Sequence, residues 1–111
     1  MSCVFCAIAA GDIPATVVLS TEQVVAFRDL NPVAPVHVLV IPREHYQNVA
    51  ELAADPAATA EVMAVAAQVA AAEGLDQGFR LVFNTGRDGG QEVDHVHAHV
   101  IGGRQMVWPP G

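Results

Sequence analysis

The chain contains no lysine. Its five basic side chains are all arginine and face twelve acidic ones, so the formal net charge is −7 over 111 residues. A surface this acidic repels phosphodiester polyanions, which disfavours general DNA or RNA binding. It leaves room for one small phosphate ligand, held locally by backbone N–H groups and histidines. Charged residues are also scarce, at 15% against 52% hydrophobic, a balance opposite to that of a disordered chain. Long apolar runs are missing too. The alanine-rich stretch is broken by Glu61, Gln68 and Glu73, so nothing reads as a membrane span. No basic segment followed by an apolar run opens the chain, and a cytoplasmic location is the expectation. With only two cysteines and a reducing compartment, a metal or a redox pair is favoured over a structural disulfide. There is no repeat or linker, and the length suits one domain spanning 1–111.

Segments 17–19 and 24–28 read as short strands around a polar Ser20-Thr21-Glu22-Gln23 turn, a hairpin. Asn31-Pro32 and Pro35 interrupt the chain, and the apolar run 36–41, closed by Pro42, reads as a buried strand. From 56 to 73, Val62, Val65, Ala66 and Val69 recur at helical spacing. Asp55 is a cap for that helix, Pro56 suits its first turn and Gly74 its end. Strands are expected at 79–84 and 93–101, with a Gly-rich turn at 85–91 between them. Strands before and after one long helix, joined by hairpins, predict an α+β fold with an antiparallel sheet.

The chemistry concentrates in His95-Val96-His97-Ala98-His99-Val100-Ile101. On a strand, alternate residues share a face, so three imidazoles project one way and Val96, Ala98 and Val100 the other. Successive rings are expected about 7 Å apart, spaced to line a groove and too far to bond one another. Periodicity leaves metal ligation and phosphoryl chemistry equally open. The turn ahead shifts the balance: Asn84-Thr85-Gly86-Arg87-Asp88-Gly89-Gly90-Gln91-Glu92 reads as a phosphate cradle, with converging N–H groups and the Asn84 and Gln91 amides as neutral donors. Asp29, where the first hairpin ends, is a turn-former or an acceptor for ribose hydroxyls.

The histidine run resembles the histidine-triad signature, in which three histidines alternate with apolar residues. The flanks Phe27-Arg28-Asp29-Leu30-Asn31-Pro32-Val33-Ala34-Pro35, Val36-His37-Val38-Leu39-Val40-Ile41-Pro42, Gly89-Gly90-Gln91 and Gly102-Gly103-Arg104-Gln105-Met106-Val107-Trp108-Pro109-Pro110-Gly111 are similar to the Hint branch, the purine nucleoside phosphoramidases. The resemblance covers nearly the whole chain. It implies a five-stranded antiparallel sheet with one long and one short helix, doubled into ten strands in a homodimer. It implies that His97 is the nucleophile, forming a nucleotidyl-histidine, with His99 and His37 moving protons beside it. Nδ1 of His97 would donate to the backbone of His95, leaving Nε2 free to attack. Asn84, Gly90, Gln91 and Glu92 would hold the α-phosphate, Asp29 the ribose, and Leu30 would flank the base. Segment 103–111 would carry Trp108 to the partner's substrate pocket. No metal is required for that chemistry, and the ligands are purine nucleoside monophosphates and phosphoramidates, with neither nucleic acid nor membrane as partner.

Three positions depart from the pattern: Arg28, beside the expected nucleoside pocket, stands where some members have His, Glu92 where animal members have Ser, and Val107 where others have His. The gap in Cys3-Val4-Phe5-Cys6 lets both sulfurs grip one ion. His45 and His95 are the available third and fourth ligands, and related triad proteins with this cysteine pair hold a structural zinc. The competing functions are diadenosine polyphosphate hydrolysis, as in the Fhit-like branch, and nucleotide sensing with incidental hydrolysis.

Overall fold

Asp55 caps the long helix as expected: its carboxylate accepts from the Ala58 N–H at 3.1 Å, and Pro56 opens the first turn. The helix runs Pro56–Ala72, and Gly74, at φ 74°, ends it. In the computed structural model, which describes residues 3–111, it is α3 of three helices. The others are α1 (Val4–Ala9) and α2 (Val49–Ala53), with strands β1 (Val17–Ser20), β2 (Val24–Arg28), β3 (Val36–Pro42), β4 (Phe79–Val82) and β5 (Ala98–Gly102). The five strands form one sheet in the order β1-β2-β3-β5-β4, every pair antiparallel. None of the described helices is long and apolar enough to cross a membrane.

Alternation along the strands builds two cores. Val24, Ala26, Val38, Val40, Val96, Ala98 and Val100 pack under α3 through Val62, Val65, Ala66 and Val69. Val25, Phe27, Leu39 and Ile41 face the other way and are covered by Phe5 of α1. The three histidines emerge on this second face.

The last strand is shorter than the expected 93–101. Pairing with β3 stops at Val40 opposite Ala98, just before β3 ends in Pro42, which has no N–H for the ladder. Upstream, the Val96 N–H turns instead to the Tyr46 carbonyl at 2.7 Å. His95 and His97 therefore lie in an irregular lead-in, and only His99 is in the strand. Freed from the ladder, the rings tilt together: His97 and His99 have centroids 4.9 Å apart, not the expected 7 Å.

Candidate active site and metal centre

His97 is held by a carbonyl. Its Nδ1–H donates to the His95 backbone oxygen at 2.8 Å, so neutral His97 presents an unprotonated Nε2. The ring is 7% exposed, and Phe5 packs edge-on against it with centroids 5.1 Å apart. Phe5 carried no functional signal in the sequence, because a phenylalanine between two cysteines reads as ordinary core.

The next two imidazoles are ordered by a chain of donors. Val33 N–H can only donate, and it reaches His37 Nδ1 at 3.2 Å. Neutral His37 thus carries its proton on Nε2 and gives it to His99 Nδ1 at 2.8 Å. That separation marks a hydrogen bond, being shorter than the roughly 3.3 Å between two imidazole ligands of one tetrahedral zinc. His99 must then hold its own proton on Nε2, a buried atom with no partner among the described residues. Burial, reinforced by His97 and His37, pushes His99 down to about 4. Burial also lowers His37, with Asp29 partly opposing it. Both rings are neutral at pH 7. A buried N–H left without an acceptor is costly, and it marks where a ligand oxygen is missing.

Asp29 acts as the turn-former expected of it and also faces His37. One oxygen accepts the Asn31 N–H at 2.8 Å, closing the turn, while the other lies 3.5 Å from His37 Nε2. Beside it is an apolar cavity of about 260 Å³ lined by Phe5, Ile8, Phe27 and Leu39, with Asp29 and Leu30 at its rim. Leu30 is 93% exposed. Two larger hollows, of about 540 and 410 Å³, lie elsewhere, and no histidine lines any of the three. The smallest one is lined by Asp29, which lies beside His37, and by Phe5, which packs on His97. Arg28 borders this cavity, as expected, while its guanidinium forms a two-pronged pair with Glu73, at 2.7 and 3.1 Å, which fastens strand to helix.

The Gly-rich turn also differs from the open cradle expected of it. Gly90 N–H and Gln91 N–H bond to the Arg87 and Gly86 carbonyls, and Gly86 N–H bonds to Gln91 Oε1. The Gln91 amide donates to Gln47 O at 2.7 Å and Val93 O at 3.0 Å, and Asn84 donates to Gly89 O at 2.7 Å. These groups brace the turn from within. Gly89 is obligatory, since a Cβ there would sit 2.3 Å from the Thr85 oxygen. Glu92 is exposed, and Trp108, 81% exposed, stacks on no other aromatic ring of the described residues.

The second cluster is sulfur and nitrogen. Cys3 Sγ lies 3.4 Å from His95 Nδ1, and Cys6 Sγ lies 3.5 Å from His95 Nδ1 and 3.3 Å from His45 Nδ1. All four ligand atoms fall within 4.8 Å of one another. A tetrahedral zinc bonded to sulfur and nitrogen keeps adjacent ligands about 3.5 Å apart, so the spacing fits. His95 Nε2 donates to Pro42 O at 2.8 Å, leaving Nδ1 as the ligating atom.

The HIT domain family matches residues 10–106. The chain belongs to that family. A HIT family hydrolase from Legionella pneumophila superposes with a TM-score of 0.95 at 49% identity, covering 99% of this chain and 100% of that one. A 14 kDa zinc-binding protein of Zea mays is 47% identical over 90% of this chain and 80% of its own length. A histidine triad nucleotide-binding protein from Candida albicans has a TM-score of 0.85 at 29% identity, covering 99% of this chain and 85% of that one.

Proposed function

We propose that this HIT protein is a purine nucleoside phosphoramidase of the Hint branch, a hydrolase of P–N bonds. The observation that carries the reading is the pairing of a nucleophile and a donor. His97 offers a bare Nε2, and beside it His99 offers a buried Nε2–H without an acceptor among the described residues. A phosphate oxygen satisfies the donor while phosphorus faces the nucleophile. The kinship with a hydrolase and with a nucleotide-binding protein supports the same reading. The base enters the apolar cavity past Leu30, and the ribose hydroxyls reach Asp29. Asn84, Gly90 and Gln91 hold the turn that flanks the phosphate, and Glu92 lies at its end.

His97 Nε2 attacks the α-phosphorus, a P–N(His) bond forms and the P–N bond to the amine breaks. The leaving amine takes a proton through the His99–His37 pair, with Asp29 behind His37 to support transient charge. Water then attacks the nucleotidyl-histidine, returning His97 and the proton. The balance is nucleoside phosphoramidate plus water giving nucleoside monophosphate plus amine. Cys3, Cys6, His45 and His95 would hold a structural zinc, which joins α1 to the lead-in of β5 and takes no part in these steps. The working form is a cytoplasmic homodimer, its two sheets joined into ten strands and Trp108 reaching the partner's pocket.

A turnover screen of adenosine and guanosine phosphoramidates against diadenosine polyphosphates tests the assignment. Phosphoramidates are expected to be the better substrates. His97→Ala should abolish turnover and retain monophosphate binding. Near wild-type turnover by that variant would overturn the role of His97, and preferential cleavage of the dinucleotides would move the chain to the Fhit-like branch.

A further inference from the structure

The proton on His99 Nε2 depends on which nitrogen of His37 is protonated, and two groups favour Nε2: the Asp29 carboxylate 3.5 Å from it and the Val33 N–H that donates to Nδ1. Val33 lies in segment 29–35, which has neither helix nor strand to hold it. What holds it comes from beyond β5. The Arg104 guanidinium donates to the Val33 carbonyl at 3.2 Å. One residue earlier, Gly103, at φ 94°, lies so close to Pro35 that a Cβ there would be 2.9 Å from the proline Cβ. The segment is thus seated on the start of the C-terminal tail, with Pro35 against Gly103 and Val33 tied to Arg104.

We infer that Arg104 is a positioning residue: by fixing Val33 through its carbonyl it keeps the Val33 N–H on His37 Nδ1, helps set the tautomers of His37 and His99, and so keeps the His99 Nε2–H aimed at a ligand oxygen. The inference rests on the proposed function only for the identity of that ligand. Arg104 touches neither imidazole. Its guanidinium acts on the carbonyl of the residue whose N–H orders His37, so a shift at 104 reaches His99 through three successive hydrogen bonds. Without the tie, the Val33 N–H drifts from His37 Nδ1, and the imidazole is free to protonate either nitrogen. A His37 protonated on Nδ1 accepts at Nε2. His99 would then have to donate from Nδ1, and its Nε2 would become a lone pair facing a phosphate oxygen, a repulsive contact.

The test compares Arg104→Met and Arg104→Lys with the wild type. Long-range ¹H–¹⁵N spectra of the imidazoles at pH 7 report the tautomers, and calorimetric titration with AMP reports the donor. In the wild type, His37 and His99 should each show a single form protonated on Nε2. Arg104→Met should mix the tautomers at both rings and weaken AMP about tenfold, the scale of one hydrogen bond to a charged group. Arg104→Lys keeps a cationic donor for the same carbonyl and should restore both readouts. Gly103→Ala, which pushes on Pro35, should shift the same two rings and leave the His97 Nδ1–H bond to His95 in place. Pure Nε2–H tautomers and unchanged AMP affinity in a folded Arg104→Met protein would overturn the inference. Tautomers that mix in a protein whose wild type binds no nucleotide would sustain the positioning role and sink the functional reading instead.

Discussion

At the residue level, His99 ties function to stability. Folded, it is held down to about 4, whereas its ordinary value is 6.5. Between those values the unfolded chain takes up a proton that the folded chain refuses, so stability falls as pH drops through the window. Above 6.5 both states are neutral and the slope vanishes. The groups facing His99 are His37, His97 and Asp29, of which His37 is shifted the same way by burial. Urea unfolding at pH 7.5 and pH 5 should show a clear loss for the wild type, and a smaller loss for His99→Gln. Equal losses in the two proteins would remove His99 as the source. The polarity of this site was only partly legible. Alternation in the sequence placed three imidazoles on one face, and the family resemblance implied the His97 bond to the His95 carbonyl, yet the proton directions of His37 and His99 depend on Val33, whose placement no residue identity reveals. Arg28 is the opposite case: it follows Phe27, which faces the α1 side, so strand parity alone already turned it toward α3.

Among the elements, α3 was legible to within a residue because cap, first-turn proline, apolar spacing and terminal glycine all agreed. The six-residue α1 and five-residue α2 were not, since neither is long enough to show a helical period. The start of β5 was misplaced because apolar alternation continues through Val96 and does not register where the partner strand ends. The tail is the element whose meaning changes most. The sequence treats 103–111 as one unit reaching a twin, but its first residues hold segment 29–35 of their own chain. Arg80 also anchors the Val107 carbonyl. Only the side chains near the end of the tail are free to serve a partner, with Val107 and Trp108 75% and 81% exposed. A tail truncation that probes the dimer should therefore end at Gln105. Removing 106–111 should leave AMP binding and the His97 reaction in place and change the preference among amine leaving groups. Light scattering should show a dimer at micromolar concentration. A monomer, or an unchanged leaving-group preference, would count against a tail that completes the neighbouring pocket.

For the molecule as a whole, the two cores differ in what secures them. The α3 core is extensive and needs no help, with Val38, Val40, Val69, Ala98 and Val100 fully buried. The α1 core is small and depends on a short helix whose main contribution is Phe5. That helix carries Cys6 and is capped by Cys3, while His45 lies beyond β3 and His95 precedes β5, so one ion would join three separated stretches of chain. The zinc reading then predicts an uneven response to chelation. Protein purified without a His-tag should contain one zinc per chain, because the ligand spacing fits a closed tetrahedral site. Chelator should release α1, open the Phe5 wall of the base cavity to protease and weaken AMP binding. The sheet and α3 should persist, with little change in far-ultraviolet circular dichroism. Loss of even 1–2 kcal/mol would lower Tm by roughly 4–15 °C in a domain of this size. Cys6→Ser should reproduce the chelated state without chelator, separating the site from side effects of the reagent. Much less than one zinc per chain in protein never exposed to chelator, or a Tm indifferent to both treatments, would mean that α1 is secured by Phe5 and the apolar contacts alone.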